Sequence, residues 1–124
     1  MIEIFKVLGD ENRLRILNVL SNAELCVCEL EVLLELSQSN VSRHLSKLKS
    51  VNLISSSKDA QWIHYKLNEG LSEEYGLLIQ FIKEGFHREE IFKKDLCRVK
   101  KYFDYNLNCQ IIADDKEFVL NKIK

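Results

Sequence analysis

Cys26 and Cys28, in the run Glu24-Leu25-Cys26-Val27-Cys28-Glu29-Leu30, are the residues of this chain best suited to chemistry. Thiolates are soft ligands, and two at this spacing select polarizable ions over hard, oxygen-loving cations. Just downstream, Ser37 to Lys49 reads as a helix rich in groups that suit nucleic acid. A thiol pair beside such a helix points to a switch in which a thiophilic metal or metalloid controls DNA binding. Free cysteine is often a buried, inert core residue. The close spacing, at a helix start whose dipole lowers thiol pKa, argues for ligands instead. A thiol redox switch, in which Cys97 or Cys109 pairs with Cys26 or Cys28, is the other chemistry these residues permit.

The elements that must position the pair follow from apolar spacing. Ile2, Phe5 and Leu8 recur at helical intervals and predict a first helix ending at Gly9. Asp10 is the expected N-cap of a second, with Leu14, Leu17 and Leu20 inward and Ser21-Asn22 as the stop. A third helix is expected over Cys26 to Leu36, and a fourth follows Ser37 as N-cap, with Val41, Leu45 and Leu48 as its core stripe. Two helices around a tight polar turn, the second capped by serine, fit a helix-turn-helix.

The residues expected to meet DNA are Gln38, Ser39, Ser42, Arg43, His44, Lys47 and Lys49. Gln and Arg suit base edges or phosphates, while serine hydroxyls and the helix N-terminus suit phosphates. After this helix, Leu53 to Ser57 and Gln61 to Leu67 read as two strands around a turn at Lys58-Asp59-Ala60, that is, a wing. In the second strand Ile63, Tyr65 and Leu67 are expected inward, alternating with Trp62, His64 and Lys66. Lys58 is the only cation at the wing tip, so the wing should add little affinity.

The net formal charge of −1 conceals an uneven distribution. Residues 37–67 carry Arg43, Lys47, Lys49, Lys58 and Lys66 against a single acid, Asp59, whereas residues 1–36 hold seven acids and only three bases. A local basic patch is what phosphate binding requires. The patch is small, and two copies acting together are inferred. The stripe Leu77, Leu78, Phe81, Ile82 and Phe86, on a helix expected from Ser72 to Lys94, exceeds the apolar surface one small core needs and predicts a dimer helix.

At 124 residues, 46% hydrophobic and 30% charged, the chain can form one modest core. The absence of proline and the four glycines favour helices with short connections. No apolar run approaches the roughly 18 residues of a membrane span, and no signal peptide is apparent. A cytoplasmic protein with no membrane partner is expected, whose four cysteines are ligands or free thiols rather than disulfides. No glycine-rich phosphate loop, HExxH motif or arsenate-reductase-like cysteine loop supports an enzyme, and no required cofactor is expected.

Four ordered segments carry a specific resemblance: Phe5 to Leu17, Glu24 to Leu30, Ser37 to Leu45 and Trp62 to Leu67. Together, over residues 2–95, they resemble the ArsR/SmtB family of winged-helix repressors. The resemblance implies a mainly α winged helix-turn-helix with a small β-hairpin, dimeric through its N- and C-terminal helices, with Ile2, Phe5, Leu77, Leu78, Phe81 and Ile82 in the interface. It implies a homodimer on double-stranded inverted-repeat operator DNA, released when an inducer binds. Residues 1–95 would form the DNA-binding and dimerisation domain, and residues 96–124 a helical C-terminal extension packed on the dimer.

Within that family, the Cys-Val-Cys run resembles the subgroup that senses As(III) or Sb(III), although cadmium- and lead-sensing members carry a similar run. Those recruit cysteines from an N-terminal extension. Here no cysteine precedes Cys26, which favours arsenite or antimonite over Cd(II) or Pb(II). Some arsenic sensors place a third cysteine three residues after the pair, but that position is Glu31. Cys97 and Cys109 are the remaining candidates for a third sulfur, the alternative being an exogenous ligand. Zinc, nickel or cobalt sites of relatives use His-containing pairs on the last helix, where only His87 with Glu90 is found. Because residues two apart in an ideal helix point about 200° apart, capture of one small centre by Cys26 and Cys28 is expected to unwind the first turn of the third helix.

Overall fold

The computed structural model describes residues 1–68 and 70–124. Helix α1 (Ile2–Leu8) ends at Gly9, and α2 (Glu11–Leu20) begins where the Asp10 carboxylate accepts the Arg13 N–H at 3.1 Å. A two-residue strand β1 (Leu25–Cys26) leads into α3 (Val27–Leu34). Glu35, in the left-handed region at φ 54°, ends α3, and Leu36 and Ser37 complete the turn to α4 (Gln38–Ser50). The Ser37 hydroxyl caps α4 by accepting the Asn40 N–H. Strands β2 (Ile54–Asp59) and β3 (Trp62–Leu67) form the hairpin.

The sheet order is β1-β3-β2, all antiparallel, with Cys26 opposite His64 and Asp59 opposite Trp62. Tyr65 and Leu67 pack against the core as expected. Ile63, expected inward, is 46% exposed, because the hairpin tip extends past the core that would cover it. The architecture is a winged helix-turn-helix: α3, turn, α4, then the wing.

The C-terminal third departs from expectation. Instead of one helix from Ser72 to Lys94, α5 (Leu71–Phe86) stops and α6 (Glu90–Asp104) restarts after a turn at His87 to Glu89. The turn folds Phe86 onto Phe92, ring centroids 4.9 Å apart and edge to face, which a continuous helix could not do. Two short helices follow, α7 (Cys109–Asp114) and α8 (Lys116–Lys122), each capped by a side chain, Asn108 and Asp115. The boundary expected between residues 95 and 96 falls inside α6.

Helix α3 is the hub, packing against α2, α4, α6, α7 and α8. Its Leu30, Val32 and Leu33 are fully buried in one core with Val99, Tyr102, Val119 and Ile123 from the C-terminal helices. Arg15 links three helices: its guanidinium donates to both oxygens of Asp95 on α6, at 2.8 and 2.9 Å, and to the Leu34 carbonyl at the end of α3. Asp95 raises the already high Arg15 pKa through this hydrogen-bonded pairing. The same contact fixes α6 along α2 and brings the segment after it back over α3.

Candidate metal centre and nucleic-acid interface

The first turn of α3 sets the thiol geometry. Cys26 is not helical: at φ −96° and ψ 172° it is extended, the last residue of β1 and the N-cap of α3. Cys28 is the second helical residue. The expected opposition of the two side chains applies only within a helix, and here the Sγ atoms converge to 3.0 Å. Unwinding is therefore unnecessary for both sulfurs to face one centre. The pair is held by a capping box in which the Glu29 carboxylate accepts the Cys26 N–H at 3.0 Å.

The third sulfur arrives from α7. The ligand atoms of Cys26, Cys28 and Cys109 all lie within 4.8 Å of one another, the only such cysteine-containing cluster among the described residues. Cys26 and Cys109 are buried and Cys28 is half-buried. With metal–sulfur bonds of roughly 2.3 Å, three sulfurs on one pyramidal or tetrahedral centre lie roughly 3.4–3.8 Å apart, so seating one ion would open the 3.0 Å Cys26–Cys28 pair slightly and draw in any longer sulfur–sulfur separation. Cys97 is exposed on α6 and stands outside the cluster. The periodicity of α6 turns it to solvent, since Asp95, Val99 and Tyr102 take the buried positions.

The site favours the protonated forms of Cys26 and Cys109. The hydrogen bond with Cys28, then burial, push the Cys26 pKa far above the ordinary thiol range. Burial, then the hydrogen bond with Cys26, raise that of Cys109. The Glu29 charge acts in the same direction on both. Glu31, where some sensors place a cysteine, instead points toward Lys116 of α8 at 3.8 Å.

The second face is α4. Gln38, Ser39, Ser42, Arg43, Lys47 and Lys49 are exposed, opposite the buried Val41, Leu45 and Leu48. Lys49 Nζ donates to the Ser56 hydroxyl at 2.8 Å, joining the end of α4 to the wing, and Lys58 is exposed near the wing tip. His44, expected among the DNA contacts, is only 3% exposed: its Nδ1 accepts the Arg13 Nε–H at 3.2 Å. Burial, with the Arg13 and Arg43 charges, outweighs Asp10 and lowers its pKa, favouring the neutral ring that accepts this bond. His44 thus docks α4 on α2.

Apolar side chains gather on the opposite side. Ile2 and Phe5 of α1 and Leu77 and Phe81 of α5 are exposed, while Leu78 and Ile82 are partly buried against the core. A groove of about 650 Å³ between α1 and α5 is lined by Met1, Ile4, Phe5, Leu77 and Leu78. No helix among the described residues is long and apolar enough to cross a membrane.

Known proteins resemble this chain across the same region. Residues 10–56 match the family described as "Bacterial regulatory protein, arsR family". The "Arsenical resistance operon repressor" of Escherichia coli (strain K12) is 46% identical over 68 residues, 54% of this chain and 58% of that protein. The protein of the same name from Bacillus subtilis (strain 168) is 40% identical over 75 residues, 60% of this chain and 70% of its own length. The "Cadmium resistance transcriptional regulatory protein CadC" of Listeria innocua is 40% identical over 62 residues, 49% of this chain and 52% of that protein. Among solved structures, reduced HlyU from Vibrio cholerae superposes with a TM-score of 0.54 at 37% identity, covering 64% of this chain and 85% of that one. The chain thus spans little more than half the length of several of these curated relatives.

Proposed function

The chain belongs to the arsR family of bacterial regulatory proteins, and from this premise we propose that it is a cytoplasmic, DNA-binding repressor of an arsenic-resistance operon. Its inducer is trivalent arsenic or antimony, captured by Cys26, Cys28 and Cys109. The observation that carries this reading is the convergence within 4.8 Å of three thiols, from β1, α3 and α7, at the start of the helix that precedes the DNA-facing α4.

The capture step balances without an oxidant. Arsenous acid carries three hydroxyls. Three S–H and three As–O bonds break, three As–S bonds form, and three waters leave. The buried, protonated Cys26 and Cys109 suit this exchange, because each thiol proton departs with an arsenic-bound hydroxyl. Binding Cd(II) at the same site would instead expel protons and build negative charge beside Glu29, which the burial of Cys26 and Cys109 opposes.

Release from DNA follows from what the thiols are attached to. Cys26 lies in β1, hydrogen-bonded to the wing strand β3, and Cys28 lies on α3, which packs on α4. Drawing the three sulfurs onto one atom pulls on the wing and the recognition helix together. A second copy supplies the other half: it covers the exposed faces of α1 and α5, with Ile2, Phe5, Leu77, Leu78, Phe81 and Ile82 in the interface, and reads the second half of an inverted repeat. A few kcal/mol of differential affinity suffices to empty an operator, since about 1.4 kcal/mol is tenfold.

The test is a mobility-shift titration on the DNA upstream of the chain's own gene, at several salt concentrations, with and without arsenite. Salt-sensitive binding that arsenite abolishes is expected, because phosphate contacts release counterions. Binding indifferent to salt or to arsenite would overturn the proposal. Replacing arsenite with cadmium separates the two inducer chemistries.

A further inference from the structure

Beside the three thiols, a buried carboxylate and a buried phenol form a pair that metalloid capture does not itself require. Glu29, 7% exposed, accepts the Cys26 N–H with one oxygen. Its other oxygen accepts the hydroxyl hydrogen of Tyr102, a fully buried residue on α6. The Tyr102 carbonyl in turn accepts the Leu107 N–H at 3.1 Å, closing the turn through Asn106, whose φ of 54° is left-handed. That turn delivers Asn108, the N-cap of α7, and then Cys109. One line of hydrogen bonds therefore runs from the backbone of the first thiol to the loop carrying the third.

We propose that Tyr102, acting through Glu29, is a positioning residue that sets Cys109 against the Cys26–Cys28 pair, so that the site binds with three sulfurs rather than two. This rests on the three-thiol reading above. Two observations separate the role from simple helix docking. First, α6 is already fastened by Asp95 to Arg15 and by Arg98 to the Leu33 carbonyl, so the Tyr102 hydroxyl is not needed to hold it. Second, the hydroxyl spends its bond on the carboxylate that caps the thiol turn, where partners behind a ligand set fix its orientation.

The experiment is a double-mutant cycle on the full chain, with Tyr102→Phe, Cys109→Ser and the pair. Arsenite affinity is read from the ultraviolet absorbance of the arsenic–sulfur bonds. Alkylation of Cys109, followed by mass spectrometry without arsenite, gives an independent readout. Tyr102→Phe is expected to weaken arsenite binding about tenfold, the lower end for groups behind a ligand shell. In the Cys109→Ser background it should change affinity by no more than about twofold, the scatter of uncoupled sites. It should also speed alkylation of Cys109.

Equal losses in both backgrounds, or unchanged alkylation, would assign Tyr102 to stability alone and overturn the inference. If Tyr102→Phe does not fold, Glu29→Gln enters the same cycle. It keeps an acceptor oxygen for the Cys26 N–H and should show the same coupling to Cys109 at smaller size. A wild-type chain that binds no arsenite would overturn the proposed inducer instead, and the alkylation arm would still decide the positioning role.

Discussion

The Cys26 and Cys28 sulfurs stand 3.0 Å apart because one residue closes a strand and the other lies in the first turn of the helix that follows. Two cysteines both inside α3 would diverge around its axis. Moving the helix start by one residue turns an opposed pair into a convergent one, and the capping box through Glu29 holds it so.

The first prediction concerns helix content. Because the pair converges before any ligand arrives, arsenite should bind without melting α3. Far-ultraviolet circular dichroism of the full chain, with and without saturating arsenite, should be superimposable. A loss of helical signal equivalent to a turn would show that the first turn unwinds after all.

A second prediction follows from Arg15 and Asp95, whose side chains are 12% and 2% exposed. Breaking a buried pair by removing one partner strands the other charge. Asp95→Ala should therefore cost about 3 kcal/mol of stability, measured by urea unfolding. Since α6 leads to the loop carrying Cys109, the variant should also lose arsenite affinity. An exposed pair such as Lys100–Asp104 should cost little when broken.

Legibility in the sequence tracks how local each determinant is. Helices α1, α2 and α4 and the hairpin are readable from apolar spacing and from the caps Asp10 and Ser37, which act within three residues of themselves. The strand character of Leu25 and Cys26 is not readable there, because it comes from pairing with Tyr65 and His64 some forty residues away. The break at His87 to Glu89 has no proline to announce it, and its reason is the Phe86–Phe92 contact it creates. Cys97 and Cys109 look equivalent as lone thiols. Only the packing of α6 and α7 on α3 turns one outward and the other inward. The short acidic spacing from Cys26 to Glu29 was a local signal for the capping box, whereas Tyr102 as partner to that acid is a contact across the whole fold.

A third prediction separates two neighbours on α4. Arg43 is exposed and His44 is buried against Arg13. Arg43→Ala should weaken DNA binding while leaving the unfolding midpoint unchanged. If its contact is to a phosphate, the salt dependence should fall by about one unit of slope. His44→Ala should instead lower stability by about 1–3 kcal/mol, the cost of a buried hydrogen-bond partner left unsatisfied. Salt-dependent binding and urea melts on both variants check this, and a stable His44→Ala protein with lost DNA affinity would restore His44 to the interface.

The last prediction concerns pH. Cys26 and Cys109 have raised pKa values, through the Cys28 hydrogen bond and burial in one case and burial first in the other. Both are therefore protonated across the neutral range. Arsenous acid is also uncharged there, and its exchange with thiols releases water rather than protons, so its apparent affinity should stay constant from about pH 6 to about pH 8. Cadmium must displace thiol protons, and its affinity should climb at least about tenfold per pH unit. The same shifts bear on the free protein. An unfolded thiol ionises near pH 8.5, while the folded ones hold their protons to higher pH, so folded stability should decline as pH rises above about 8.5. Arsenite removes those thiols from titration and should flatten that decline. Thermal melts of the free and arsenite-bound chain across this range, beside calorimetric titrations in buffers of different ionisation heat, measure both effects. Proton uptake on arsenite binding, together with cadmium binding that releases no protons, would mean that the thiols enter the site already ionised.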